Sequence, residues 1–161
     1  MSEPIEKLQP CLLDRLTDDE PGKNAESRAQ RVISMSRYRQ GVMRDLEWLF
    51  GASAHLPKGL NEFEFNLEDY PDAFKSVINF GTRHLFGLTS PNLRDLQRRL
   101  TDALRIYEPR IDPITLKVSV KMDRNILVMD IQGDLWAQEK AEHLHIKTRL
   151  DLQGGYCSVG D

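Results

Sequence analysis

The sequence predicts an α+β protein in which N-terminal helices pack on a small antiparallel β-sheet formed by the C-terminal half. Before residue 108, apolar residues recur every three or four positions, which is typical of amphipathic helices. After residue 113 the apolar period changes to two, which is typical of strands with one buried face. Helices followed by a run of strands favour the α+β class.

Three helices are predicted ahead of the strands. The first spans residues 25–50, and the second begins at Pro71 and runs to residue 81, because proline suits the first turn of a helix. The third is capped by the Ser90-Pro91 pair. It ends near Tyr107, because the residue that precedes Pro109 is disfavoured in the α conformation. A short extended piece around residues 63–67 could lie between the first two helices.

Three strands are predicted in the C-terminal half, over residues 114–122, 126–136 and 144–152. In each of them apolar residues alternate with polar ones, so that one face of the sheet would be buried. Asp123-Arg124-Asn125 supplies the first turn, and residues 138–140 lie in the second connection. The strands therefore form a meander.

A chain of 161 residues is long enough for one domain with a core of its own. We expect residues 1–25 to form an N-terminal docking arm and residues 26–161 to form a single domain, because Pro21-Gly22 interrupts regular structure. The net charge of −3 gives no general attraction to nucleic acid. No leader peptide and no apolar run of bilayer length is visible, so the expected location is the cytoplasm, without insertion into the membrane.

No enzyme class is indicated by the sequence motifs, and no cofactor is expected. The GxSxG, HExxH, GxxxxGK[ST] and GxGxxG patterns are all absent. A glycosidase needs a pair of carboxylates, and the acidic group formed by Glu62, Glu64, Glu68 and Asp69 could supply one. A solvated face is the favoured interpretation, because nothing apolar in the sequence would raise the pKa of one of these carboxyl groups.

Metal binding is not expected either. His143 and His145 would share one face of a strand, but two imidazoles without a clear third ligand are weak evidence for a metal site. Cys11 and Cys157 lie near opposite ends of the chain and have no CxxC spacing, so they are interpreted as ordinary thiols in a reducing compartment.

Two short motifs leave alternatives open. The leucines of Leu12-Leu13-Asp14-Arg15-Leu16 either fold back onto the domain or dock in a groove of a partner, and spacing alone favours folding back. The Glu108-Pro109-Arg110 motif is either a helix stop with solvated charges or a rigid corner that presents a carboxylate and a guanidinium to another protein. An exposed ion pair contributes at most about 1 kcal/mol, so stability alone would not explain the two charges.

Four short segments follow one another along the chain, namely LLDRLTDDEP, RDLEWLF, SVINFGTRHLFG and YEPRI, and a strand-rich tail comes after them. Their order resembles that found in the lysozyme-like family of contractile-phage baseplate wedge proteins. The resemblance is to the type VI secretion members of this family and covers about residues 10–155. It implies a structural, non-enzymatic subunit that connects the baseplate wedge to the contractile sheath and helps to initiate sheath assembly. A lysozyme-like hydrolase that cleaves peptidoglycan is the alternative.

The resemblance also implies partners and contact residues. The partners are the baseplate proteins TssF, TssG and TssK and the sheath proteins TssB and TssC, at a baseplate docked on the inner-membrane complex. The Glu108-Pro109-Arg110 motif would contact the wedge and the sheath, and Leu12, Leu13, Asp14, Arg15 and Leu16 would contact TssF or TssG. The strands between Ile114 and Leu152 would accept a strand from a sheath arm. We expect Glu108 and Arg110 to be exposed, so that reversing either charge changes stability by no more than about 1 kcal/mol.

Overall fold

Helices precede a four-stranded antiparallel sheet in the computed structural model, which describes residues 8, 11–16, 22, 33–53, 69–82, 92–124, 126–136, 142–151 and 157–160. The helices are α1 (Leu12–Leu16), α2 (Met35–Gly51), α3 (Pro71–Phe74) and α4 (Leu93–Tyr107), with a 3₁₀ turn at Val77–Asn79. The strands are β1 (Lys117–Asp123), β2 (Ile126–Leu135), β3 (Glu142–Asp151) and β4 (Cys157–Gly160). The predicted fold class is confirmed.

The sheet is a meander with the strand order β1-β2-β3-β4. Every neighbouring pair is antiparallel, with Val120 opposite Met129, for example, in the first pair. Alternate side chains of each of the two central strands point into the core. The buried residues of these strands include Leu127, Met129, Ile131 and Leu135 of β2 and Leu144, Ile146 and Leu150 of β3.

Two long helices cover the buried face of the sheet, with α4 against β1 and α2 against β4. Leu46 and Phe50 of α2 and Leu100 and Leu104 of α4 are almost completely buried. Burial of a leucine or phenylalanine side chain stabilises the folded state by about 1.5–3 kcal/mol. Among the described residues, no helix combines the length and the apolar character needed to cross a membrane.

Helix α2 begins later than the sequence predicts. Ile33 pairs with Leu8 in an isolated β-bridge, and Ser34 has an extended backbone. The Ser34 hydroxyl accepts a hydrogen bond from the backbone N–H of Arg37 at 3.3 Å and thereby caps the helix. The predicted start at residue 25 is therefore wrong, and residues 25–32 lie outside the described part of the chain.

The continuous helix predicted over residues 71–81 is also wrong. Helix α3 ends at Phe74, and the chain continues into the separate 3₁₀ turn. Ser76 interrupts the helix because its hydroxyl donates to the carbonyl of Ala73 at 2.7 Å and accepts from the backbone N–H of Ile78 at 3.3 Å. The extended piece predicted around residues 63–67 lies outside the described residues.

Helix α4 ends where the sequence predicts, at Tyr107. Glu108 leaves the helical conformation, with φ −124° and ψ 70°, because Pro109 follows it. The helix is capped at its N-terminus by Asn92, whose side chain accepts from the backbone N–H of Arg94 at 3.1 Å. Ser90 and Pro91, the predicted cap, lie outside the described residues.

The first strand is shorter at its start than predicted, because Asp112 organises a turn ahead of it. The Asp112 carboxylate accepts from the backbone N–H of Ile114 at 2.8 Å, and its backbone carbonyl accepts from Leu116 at 3.0 Å. Ile114 is consequently 90% exposed and not part of the core. Strand β4 was not predicted, since its four residues are too few to show a period.

Candidate partner-binding site

Helix α1 buries none of its residues. The exposed fractions of its leucines are 70% for Leu12, 40% for Leu13 and 74% for Leu16. The interpretation that spacing alone favours, in which these leucines fold back onto the domain, is therefore wrong for Leu12 and Leu16. Apolar side chains at this exposure are available to another surface.

Asp14 attaches α1 to the domain through a charged contact. Nη1 of Arg44, on α2, donates to Oδ1 of Asp14 at 2.5 Å. The thiol of Cys11 donates to Oδ2 of Asp14 at 3.0 Å. Burial raises the pKa of Asp14, but the hydrogen bonds from Cys11 and Arg44 outweigh it and leave that pKa below the ordinary value. The carboxylate is therefore charged at neutral pH.

Arg44 and Asp45 continue this contact along α2. Nε and Nη2 of Arg44 donate to Oδ1 of Asp45 at 3.0 and 2.9 Å. Oδ2 of Asp45 accepts from Nη2 of Arg110 at 2.6 Å, which joins α2 to the turn that follows α4. Both oxygens of Asp45 are therefore engaged by arginines.

Arg110 and Glu108 form the other end of the contact. Nε of Arg110 donates to Oε1 of Glu108 at 2.6 Å, and its Nη2 donates to Oε2 of the same carboxylate. Glu108 is only 2% exposed. The expectation that both charges of the motif are exposed is thus wrong, because Glu108 is buried and the side chain of Arg110 is only 17% exposed. Pro109 is exposed.

We call the series Asp14, Arg44, Asp45, Arg110 and Glu108 the ion-pair chain. It brings together the two motifs that the sequence singles out, through two residues of α2. Charges of opposite sign alternate along it, so that every carboxylate has a cationic partner, as partly buried charges require. Within the described residues, the ion-pair chain joins α1, α2 and the Glu108-Pro109-Arg110 turn through charged side chains.

A glycine and two aromatic residues of α2 lie next to the arginines and Asp14 of the ion-pair chain. A Cβ atom at Gly41 of α2 would make ordinary contacts with Oδ2 of Asp14 at 3.4 Å and with Nη1 of Arg110 at 3.7 Å, so both side chains lie close to the helix here. The Arg44 guanidinium lies 5.1 Å from the ring centre of Trp48, and that of Arg110 lies 6.0 Å from the ring of Tyr38. These distances permit cation–π attraction.

Backbone hydrogen bonds fix the turn to the end of β2. The carbonyl of Arg110 accepts from the backbone N–H of Trp136 at 2.7 Å, and the N–H of Asp112 donates to the carbonyl of Asp134 at 2.8 Å. Between them, Ile111 forms a bridge with Leu135 and is 2% exposed. The turn is therefore attached to the end of β2 on both sides of Ile111.

Arg44 and Asp45 were not predicted as site residues, although they belong to a segment that carries the family resemblance. Helical periodicity assigns both to the polar side of α2, where charged residues are common. A glycine in the interior of a predicted helix was the available signal, because it usually has a packing reason. Gly41 marks the position where Asp14 and Arg110 approach α2.

Each of the two histidines lies beside an aspartate of the neighbouring strand. Nδ1 of His143 lies 2.9 Å from Oδ1 of Asp134, and Nε2 of His145 lies 3.1 Å from Oδ2 of Asp130, across neighbouring strands. The hydrogen bond with His145 lowers the pKa of Asp130. No group of three or more potential metal ligands occurs in the described part of the chain. Of the acidic residues considered for a glycosidase, Glu62, Glu64 and Glu68 lie outside the described residues.

Comparison with protein families matches residues 36–140 to the model described as baseplate wedge protein gp25. The matched range covers more than half of the chain and includes the Glu108-Pro109-Arg110 turn, β1 and β2. Helix α1 and strands β3 and β4 lie outside it. No curated protein and no solved structure matches the chain.

Proposed function

The chain belongs to the baseplate wedge gp25 family, which is also the family of TssE, and from this premise we propose that it connects a type VI secretion baseplate to the contractile sheath. In this role it helps to initiate sheath assembly. The family is one of structural baseplate components, and the observation that carries the proposal is the match over residues 36–140. The partners are TssF, TssG and TssK in the baseplate and TssB and TssC in the sheath, and the site of action is the cytoplasmic baseplate docked on the inner-membrane complex.

The sheet supports a connection to the sheath through strand addition. Strands β1 and β4 are its edges within the described residues. An edge strand presents unpaired backbone N–H and C=O groups, which can bind an extended segment of another chain. We propose that one of these edges receives the sheath arm. Backbone hydrogen bonds would supply the affinity, and alternate side chains of the arm would supply the specificity.

Helix α1 supports a separate contact with TssF or TssG. Leu12 and Leu16 are exposed, whereas Asp14 holds the helix to the domain through Arg44. An apolar pair on an anchored helix loses little freedom when it binds, which favours affinity. The motif thus has two roles, with its exposed leucines facing the partner and Asp14 facing the domain.

Replacing Leu12 and Leu16 together with aspartate is expected to abolish copurification with TssF and TssG. Both side chains are exposed, so the free energy of unfolding should change by no more than about 0.5 kcal/mol. In cells, the same variant should form no fluorescent sheath. Val77→Asp is the matched control, because Val77 is 82% exposed on another part of the surface. Retained copurification, or a large fall in melting temperature, would contradict the proposal.

We also propose that the protein is not an enzyme, because its family is structural; the alternative of a glycan hydrolase gains no support from the family match. Purified protein is expected to clear peptidoglycan no faster than buffer alone. The measurement is the turbidity of a peptidoglycan suspension, with lysozyme as the positive control. Clearing that is lost in Glu62→Gln or Glu64→Gln would show that the chain is a hydrolase.

A further inference from the structure

A charged contact helps to hold α1 to the domain. None of its residues is buried, and the side chain of Asp14 accepts a hydrogen bond from Arg44 of α2. We propose that Arg44, Asp45 and Arg110 are positioning residues for α1, so that the Glu108-Pro109-Arg110 turn sets the orientation of the leucine helix through the ion-pair chain. This inference deepens the proposed function, and it rests on that function where it treats the leucines as a partner surface.

The geometry at Arg44 explains how the orientation is transmitted. Two nitrogens of Arg44 are held by Oδ1 of Asp45, and the third, Nη1, is the one that binds Asp14. A planar guanidinium held at two nitrogens has a fixed direction for the third. Asp45 therefore determines where the Asp14 carboxylate, and with it α1, is held.

The geometry at Asp45 connects this direction to the turn. Its second oxygen, Oδ2, is bound by Arg110, and Arg110 is in turn held on two nitrogens by Glu108. Glu108 is buried and directly follows the last residue of α4. The ion-pair chain thus has a fixed end at Glu108 and an exposed end at α1.

One consequence concerns how the turn acts on assembly. A carboxylate that is 2% exposed offers almost no surface to another protein, whereas Leu12 is 70% exposed. A substitution at Glu108 would then weaken binding at α1 without removing a direct contact. This indirect route distinguishes a positioning residue from a contact residue.

Cys11 provides the measurement. Its thiol donates to Asp14, and its sulfur lies 3.6 Å from Nη2 of Arg44, so its access to a reagent depends on the docking of α1. The experiment is alkylation of the purified full-length chain over a range of pH, with each cysteine quantified by peptide mass spectrometry. The pH profile separates a change in thiol pKa from a change in the limiting rate, and only the limiting rate reports access.

In Asp45→Asn, the limiting rate of Cys11 is expected to rise at least about fivefold, because α1 spends more time detached. The rate of Cys157, which is in β4, should stay the same, since global unfolding is not involved. Asp95→Asn is the matched control. Asp95 also bridges two arginines, Arg98 at 2.8 Å and Arg99 at 2.9 Å, but it lies on the solvent side of α4.

The inference is overturned if Asp45→Asn leaves the limiting rate of Cys11 at the value of Asp95→Asn. It is equally overturned if only the pH dependence of the Cys11 rate changes, or if Cys11 and Cys157 accelerate in parallel. No partner protein is present in this experiment. Its outcome is therefore independent of whether TssF and TssG bind α1, which the copurification of the leucine variant tests.

Discussion

Replacing Arg110 with alanine is expected to destabilise the domain by about 3–5 kcal/mol, because it leaves a buried carboxylate without its cation. Glu108 is 2% exposed, and Arg110 is the only cation that its carboxylate contacts in the described structure. The two hydrogen bonds that Arg110 donates to Glu108 are lost together with the one that its Nη2 donates to Asp45. The measurement is the free energy of unfolding from urea denaturation.

Arg105→Ala provides the control for this prediction. Arg105 is an exposed arginine near the end of α4, and it lies 3.9 Å from Asp102. Loss of an exposed pair of this kind should cost at most about 1 kcal/mol. If Arg110→Ala also stays within about 1 kcal/mol of the wild type, Glu108 is effectively solvated and the ion-pair chain does not contribute to stability.

A charge swap between positions 108 and 110 should not restore stability. With a glutamate at position 110, the new carboxylate would face Asp45 at the place where Arg110 now donates at 2.6 Å. Like charges at such a distance repel each other. A double swap would restore stability only if Glu108 and Arg110 formed an isolated pair. Asp45 is a third charge in contact with Arg110, so the pair is not isolated.

The sequence predicts those features of the fold that depend on local pattern. Alternation of apolar and polar residues identified β2 and β3, and Pro109 located the end of α4 at Tyr107. The sequence pattern did not show the start of α2, because the helical period continues upstream of the cap at Ser34. Strand β4 was not predicted because a strand of four residues is too short to show an apolar period.

The burial of Glu108 could not be predicted for a different reason. A glutamate next to a proline at the end of a helix is normally solvated, and its sequence neighbours give no sign of a cavity. Arg110 and Asp45 are 65 positions apart in sequence, and Arg44 and Asp14 are 30 apart. The periodicity of apolar residues cannot indicate such pairings, because it describes residues that are only a few positions apart. Family resemblance drew attention to both motifs, but the contact between them depends on tertiary structure.

Replacing Gly133 with alanine is expected to destabilise the domain by about 1–3 kcal/mol through overpacking. A Cβ atom at this position of β2 would lie 2.7 Å from Cγ2 of Ile111, which is closer than two carbon atoms can approach without displacement. Ile111 directly follows the Glu108-Pro109-Arg110 turn and is 2% exposed, so it has little room to move. Gly133 therefore provides the space that lets the turn lie against the sheet.

A size swap tests this contact directly. Ile111→Ala alone should cost about 2–5 kcal/mol by creating a cavity, but in Gly133→Ala it also removes the clashing methyl group. The double variant should therefore be more stable than the sum of the single effects predicts, by about 0.5–3 kcal/mol, which double-mutant analysis of urea unfolding can resolve. Gly51→Ala is the control, since a Cβ atom there meets nothing within 4 Å. If the two changes in the free energy of unfolding are strictly additive, Ile111 does not contact Gly133. The turn would then be held to β2 by its backbone hydrogen bonds alone.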